Sequence, residues 1–273
     1  GVQTCALPIF IKFAGLDFDL EKRLIEYINN HEEKINSLAE KCKKHGFSCL
    51  ARRSDMMRLA VCIAYIKYTE CSYKELGIDE SILKDTMSDI GIWCRNNDNK
   101  GLKNYPWIKN HLKAELFKIG RLQYQLFNCN YVTFDYSKLP FKKGEQTVFI
   151  HIPQGAPLIK SECIESLKMA KEFFAKHLPV YKFDYFVCKS WLLYKDNCRF
   201  MKPSSNILQF QTLFEIAFTD HTDSYAIERI FGKKQFNKKR YAESTSLQKG
   251  AKEYMINGGK LGESFGYIPL NKI

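Results

Sequence analysis

No two cysteines stand in C-x-x-C spacing and no two histidines in H-x-x-x-H spacing, so the short ligand pairs that mark zinc sites are missing and no metal is expected. The ten cysteines follow no disulfide framework either. Cys62, Cys94 and Cys188 lie in apolar stretches, where a free thiol packs as a small hydrophobe, and the usage reads as that of a reducing, cytoplasmic protein. No run reaches the about 18 consecutive apolar residues that a membrane-spanning helix needs, so no membrane partner is expected. Internal repeats and low-complexity linkers are absent. So are zinc-finger spacing, an RRM-type aromatic signature and a basic zipper, which counts against nucleic acid as a partner.

What remains is the profile of a folded globular chain of 273 residues, 45% apolar and 26% charged. At roughly 100–200 residues per domain, that length favours two domains. The formal net charge of +12 predicts attraction to polyanions or to an anionic small ligand without choosing between them. The densest basic run is Gly232 to Arg240, GKKQFNKKR, where Lys233, Lys234, Lys238, Lys239 and Arg240 stand with no acid among them. It reads either as a solvated loop or as a phosphate-contacting one. Gly1 to Ile9 carry no charge and begin without methionine; they resemble a translated sequencing adapter and are set aside from fold reasoning.

Hydrophobic periodicity divides the chain near residue 118. Before that point it is helical. Leu20, Leu24, Tyr27, Ile28, Ile35, Leu38, Ala39 and Cys42 recur at helical spacing from a capping Asp19 to a stop at Gly46, as one long helix or two joined near Asn29 and Asn30. A helix from Asp55 to about Tyr68 is apolar on most sides and belongs at the centre of a bundle. Others are predicted over Asp79 to Cys94 and Pro106 to Ile119. After Gly120 the period shortens: Arg121 to Phe127, Tyr131 to Tyr136, Thr147 to Ile152 and Tyr185 to Leu193 read as strands. A helix over Lys160 to His177, with Ile164, Leu167, Ala170, Phe173 and Phe174 on one face, makes a strand, helix, strand crossover. Asn206 to Phe218 fits helix or strand, and helices over Tyr225 to Phe231 and Ser246 to Asn257 follow.

The crossover carries the most informative local feature, His151-Ile152-Pro153-Gln154-Gly155-Ala156-Pro157-Leu158, which leaves a strand and enters a helix. Backbone amides in such a loop, together with the helix dipole, bind phosphate without basic side chains; a rigid connector without a ligand has the same composition. This loop and five further stretches occur in one order: Thr86 to Trp93, Ile119 to Tyr124, Cys188 to Leu193, Ser205 to Ile207 and Thr245 to Gln248. On these residues the chain resembles bacterial acyltransferase-domain proteins, which pair a helical N-acyltransferase N-terminal domain with a GNAT-like C-terminal domain. The resemblance implies an α+β protein: a helical domain over 10–118, then a GNAT-like mixed α/β domain over 119–273 whose sheet splays between two central strands. It also implies acyl-CoA or acetyl-CoA as co-substrate, its pyrophosphate on the helix N-terminus beside Gln154, Gly155, Ala156, Leu158, Lys160 and Ser161. The usual Q/R-x-x-G-x-G/A motif is altered here, since Gly155 follows Gln154 at once and no second glycine comes.

Acyl transfer to an amine requires a base, donors for the oxyanion and an acid for the leaving thiolate. His151 is the candidate base, because its ordinary pKa lies near neutrality and it ends a sheet strand; a histidine that only locks the loop is the alternative. Tyr194 is a candidate acid or a half-exposed aromatic at a strand end. Ser190 bonds substrate or a neighbouring backbone group. Cys188 is disfavoured as a nucleophile by its apolar surroundings. Asp89 and Trp93 share a helix face, in a cleft or in the core, and Arg121 and Gln123 share a strand face at the domain boundary. The leading function is an N-acyltransferase acting on a small-molecule or peptide amine. A catalytically inactive GNAT-like ligand-sensing or interaction module is the alternative.

Overall fold

The computed structural model describes residues 7–273, with side chains from Pro8 onward. Of the nine residues set aside above, the first six lie outside this range, and the others open the first helix, α1 (Leu7–Phe13). Contacts divide the chain into two compact units.

The first unit holds residues up to Gln125 together with Ile152–Gln154 and Phe173–Pro179. Its longest element is α2 (Phe18–His45), whose cap is Asp17, two residues before the predicted Asp19. At His31, φ falls to −138° and the helix kinks, close to the predicted junction at Asn29 and Asn30. The His31 imidazole is held there by the Tyr27 carbonyl at 2.9 Å and by stacking on the Tyr27 ring. Next comes α3 (Asp55–Glu75), capped by the Ser54 hydroxyl, which accepts from Met57 N–H. Leu59 through Ala64 are all buried, so this helix is the centre of the bundle, as its all-round apolar sequence predicts.

Two helices read as continuous in the sequence are broken. Asp79 to Cys94 divides at Ser88 into α4 (Glu80–Met87) and α5 (Asp89–Arg95). Pro106 to Ile119 becomes α6 (Tyr105–Leu112) and then strand β1 (Leu116–Ile119). Ala114 at φ +53° ends the helix, and β1 pairs antiparallel with β2 (Leu122–Asn128) around Gly120 at φ +61°, a value that favours glycine. Hairpin pairing offers Leu116, Phe117 and Ile119 full burial, and that outweighs their helical spacing.

The second unit spans Leu126–His151, Gly155–Glu172 and Val180–Ile273. Its strands are β3 (Gln146–His151), β4 (Tyr185–Ser190), β5 (Glu215–Asp220) and β6 (Glu263–Pro269), ordered β3-β4-β6-β5. β3 and β4 are parallel, and the crossover between them contains α7 (Lys160–His177), as predicted. The other two pairings are antiparallel. Asn206 to Phe218 resolves into α8 (Asn206–Gln211) followed by β5, and α9 (Ser224–Phe231) and α10 (Ser246–Ile256) match their predicted spans. Thr245 caps α10 by accepting from Gln248 N–H, while Gln248 accepts from Ser244 N–H.

Tyr131 to Tyr136 is no strand. Its rings pack against the sheet instead, Phe134 tilted on Phe218 and edge-on to Phe265 with centroids 4.6 and 4.8 Å away. Asp135 then caps a short 3-10 turn over Tyr136–Lys138. Alternating aromatics here answer to a hydrophobic face rather than to a ladder. Strand β6, by contrast, carries no prediction, yet it is the central partner of β4 and β5.

Candidate active site

β3 and β4 run side by side for a short distance. Their register couples Val148 with Phe186 and Phe149 with Val187, and among the described residues no pair follows. Beyond that point β3 runs on through Ile150 and His151, while Cys188, Lys189 and Ser190 stay paired with β6. The two central strands therefore part at their C-terminal ends, the splay that the resemblance implies. His151 ends one arm and Ser190 the other.

His151 is half-buried, and its ring stacks on Phe149 with centroids 4.6 Å apart. That stacking, two residues back along the same strand face, fixes the plane of the imidazole at the mouth of the opening. Ser190 is buried, and its hydroxyl accepts from Leu192 N–H at 3.1 Å, which caps the 3-10 turn Trp191–Leu193. This is the local backbone bond weighed for it in the sequence.

Tyr194 is fully buried rather than half-exposed. Its hydroxyl lies 2.7 Å from His221 Nδ1, 2.9 Å from the Lys260 carbonyl and 3.3 Å from Asp196 Oδ2. Burial, and then the Asp196 charge, push the phenol pKa well up, so it keeps its proton throughout the neutral range. Cys188 is buried, and burial likewise pushes its thiol up, away from the thiolate a nucleophile needs.

The loop after His151 divides into a tethered half and an open half. In the first unit, Arg121 Nη1 donates to the Pro153 carbonyl at 3.2 Å, and Gln154 Oε1 accepts from Asn96 Nδ2 at 3.1 Å. Gly155 in the second unit sits at φ +100° with open space where a side chain would be. Ala156 and Ser161 are exposed, whereas Leu158 is buried and anchors the loop. Helix α7 then begins. Cys163 N–H bonds the Ile159 carbonyl, while among the described residues no backbone carbonyl accepts from the amides of Lys160, Ser161 or Glu162. Lys160 Nζ is held by Thr212 Oγ1 at 2.8 Å. An anion is the natural occupant of three free amides at the start of an 18-residue helix.

Two further expectations belong to the core of the first unit. Asp89 is buried, and its Oδ2 accepts from Trp93 Nε1 at 3.1 Å and Trp107 Nε1 at 2.8 Å, with His111 Nε2 also 3.1 Å away. Burial alone would raise the carboxyl; His111, Trp107 and Gln123 outweigh it and hold the pKa below the usual carboxylate value. Gln123, expected at the domain boundary, is buried in this same network. Sequence spacing joined Asp89 to Trp93, but nothing in it joined Trp107, His111 and Gln123, which arrive from another helix and a strand. No group of three or more metal-ligating side chains stands together among the described residues.

Splayed parallel strands, a glycine loop and free amides at the crossover helix define a GNAT-like domain, and the chain matches the GNAT-like C-terminal domain over residues 116–268. The helical part matches the N-acyltransferase N-terminal domain over residues 16–114. The chain belongs to this two-domain acyltransferase family. Solved structures agree at the level of fold. One of an acyltransferase in complex with decanoyl-CoA and teicoplanin superposes with a TM-score of 0.78 at 18% identity, covering 97% of this chain and 87% of that one. One in complex with decanoyl-CoA alone gives 0.77 at 18%, covering 98% and 88%. A third, with CoA and 10C-teicoplanin, gives 0.72 at 19%, covering 99% and 88%. No curated protein matches the chain by sequence.

Proposed function

We propose that this protein is an N-acyltransferase that moves an acyl group from acyl-CoA to an amine. The observation that carries the reading is the opening between β3 and β4, with His151 on one arm and the free amides of α7 beyond the loop it starts. In this scheme the pyrophosphate of CoA rests on the amides of Lys160, Ser161 and Glu162, with Gly155 leaving room beside them. The thioester lies between the parted strands. Gln154 shapes the loop through Asn96, and Lys160 steadies the start of α7 through Thr212.

His151 accepts the proton of the attacking amine as nitrogen bonds the thioester carbon. The carbon–sulfur bond then breaks, and the imidazolium returns that proton to the departing thiolate. Tyr194 and Ser190, whose hydroxyls are engaged locally, hold the end of β4 in place. The similar structures hold decanoyl-CoA and the glycopeptide teicoplanin, so a medium-chain acyl donor and an amine carried on a peptide or small molecule are the substrates to try first. Free thiols at nine described cysteines support a reducing, cytoplasmic setting.

Calorimetry with acetyl-CoA and decanoyl-CoA, followed by thiol release over an amine panel, tests the proposal. Binding with turnover supports it. Binding without turnover on any amine favours the sensing module, and absence of CoA binding at millimolar concentration refutes the acyltransferase reading.

A further inference from the structure

The run GKKQFNKKR has no part in the proposed chemistry, and its placement is unusual. It joins α9 to α10 and is anchored from beneath: Tyr241 is buried in the core formed by Ala226, Ile227, Ile230, Ala251, Met255 and Leu261. The Tyr241 hydroxyl accepts from Gln235 N–H at 3.0 Å, its ring packs on Phe231 at 4.3 Å, and Asn237 Oδ1 accepts from Lys239 N–H. On this braced loop Phe236 is 110% exposed, more open than in an extended peptide. A phenyl ring so held keeps its whole apolar surface in water.

The charges around it are only partly answered. Lys234 pairs with Asp223 and Lys238 donates to the Met255 carbonyl, but among the described residues no carboxylate lies within ion-pair distance of Lys233, Lys239 or Arg240. One fully solvated aromatic on a loop that also carries three unpaired cations is the chemistry of an interfacial anchor, in which the ring enters the acyl boundary while the cations meet anionic headgroups. Single-stranded nucleic acid is the weaker fit, since it is gripped by successive aromatics along a groove, and Phe236 stands alone on its loop.

We propose that the loop Lys233–Arg240 docks this protein reversibly on an anionic lipid surface, with Phe236 as the inserted residue. This reverses the sequence expectation of no membrane partner, which rested on the lack of a spanning helix. It stands or falls independently of the acyltransferase reading.

The test is co-sedimentation of the full chain with phosphatidylcholine vesicles, with and without about one-third phosphatidylglycerol, at low and high salt. Binding is expected only to the anionic vesicles and only at low salt, each unpaired cation adding about fivefold. Phe236→Ala should weaken it about tenfold. Changing Lys233, Lys239 and Arg240 together to Glu should abolish it. These positions are exposed, so unchanged circular dichroism will show that the fold is intact. The proposal is overturned if anionic vesicles fail to bind at low salt, or if either variant binds like the parent. It is also overturned if a single-stranded oligonucleotide binds more tightly than the vesicles with the same dependence on Phe236.

Discussion

Replacing Asp89 with Ala removes the acceptor on which two indole N–H groups and the His111 ring converge. The site is buried, so water cannot take over. Each orphaned donor costs about 1–3 kcal/mol, and removal of one partner from a buried charged network costs about 3–5 kcal/mol in measured cases. For a unit of this size, that is a fall in melting temperature of roughly 10–20 °C. Asp89→Asn keeps the shape and one acceptor oxygen but loses the charge; since charge-assisted bonds are about twice as strong as neutral ones, a loss of about 1–2 kcal/mol is expected. Urea unfolding followed by tryptophan fluorescence measures both, because two of the three tryptophans sit on this carboxylate. The sign of the pH effect follows from the depressed pKa. The contribution of Asp89 is full above the unfolded carboxylate value of about 4 and drains away as pH falls through the lower folded value. The parent should therefore lose more stability than Asp89→Asn on acidification below that point. An Asp89→Ala protein within 1 kcal/mol of the parent, by a two-state analysis, would refute the reasoning.

Other expectations concern the site. His151→Ala should lower turnover about 100-fold or more while leaving acyl-CoA affinity unchanged by calorimetry; full turnover would remove the base assignment. Gly155→Val places a β-branched side chain at φ +100°, so the loop must change conformation, and the Kd for CoA should rise at least about fivefold; an unchanged Kd would place the pyrophosphate elsewhere. Cys188→Ala should keep most of the activity, and intact mass spectrometry of the parent with acyl-CoA should detect no acyl-enzyme, because burial holds that thiol protonated. Phe236→Ala, which weakens vesicle binding, should leave thiol release in solution unaltered.

Legibility of the fold tracked the length over which a pattern repeats. The runs behind α2 and α7 hold one apolar period for five or more turns and that behind α3 is apolar nearly all round, and their limits came within a few residues of the sequence reading, except that α3 extends to Glu75. A stop signal helped where it was local, as at Gly46. Short segments failed. Leu116 to Ile119 continues the helical spacing of Ile108 and Leu112, and only the partner strand across Gly120 makes it β. The alternation in Tyr131 to Tyr136 is that of a strand, but its rings are satisfied by a sheet face already built from Phe149, Val187 and Phe265.

Of the candidate site, the sequence by itself determined the strand, loop and helix that carry His151, Gly155 and the first turn of α7, because these are neighbours in the chain and their chemistry is local. Tertiary structure alone decided that β3 and β4 part after Phe149 and Val187, that Tyr194 is buried against His221 and Lys260, and that Phe236 stands in open water. Each of these depends on partners far along the chain, and a residue's exposure is set by what folds over it.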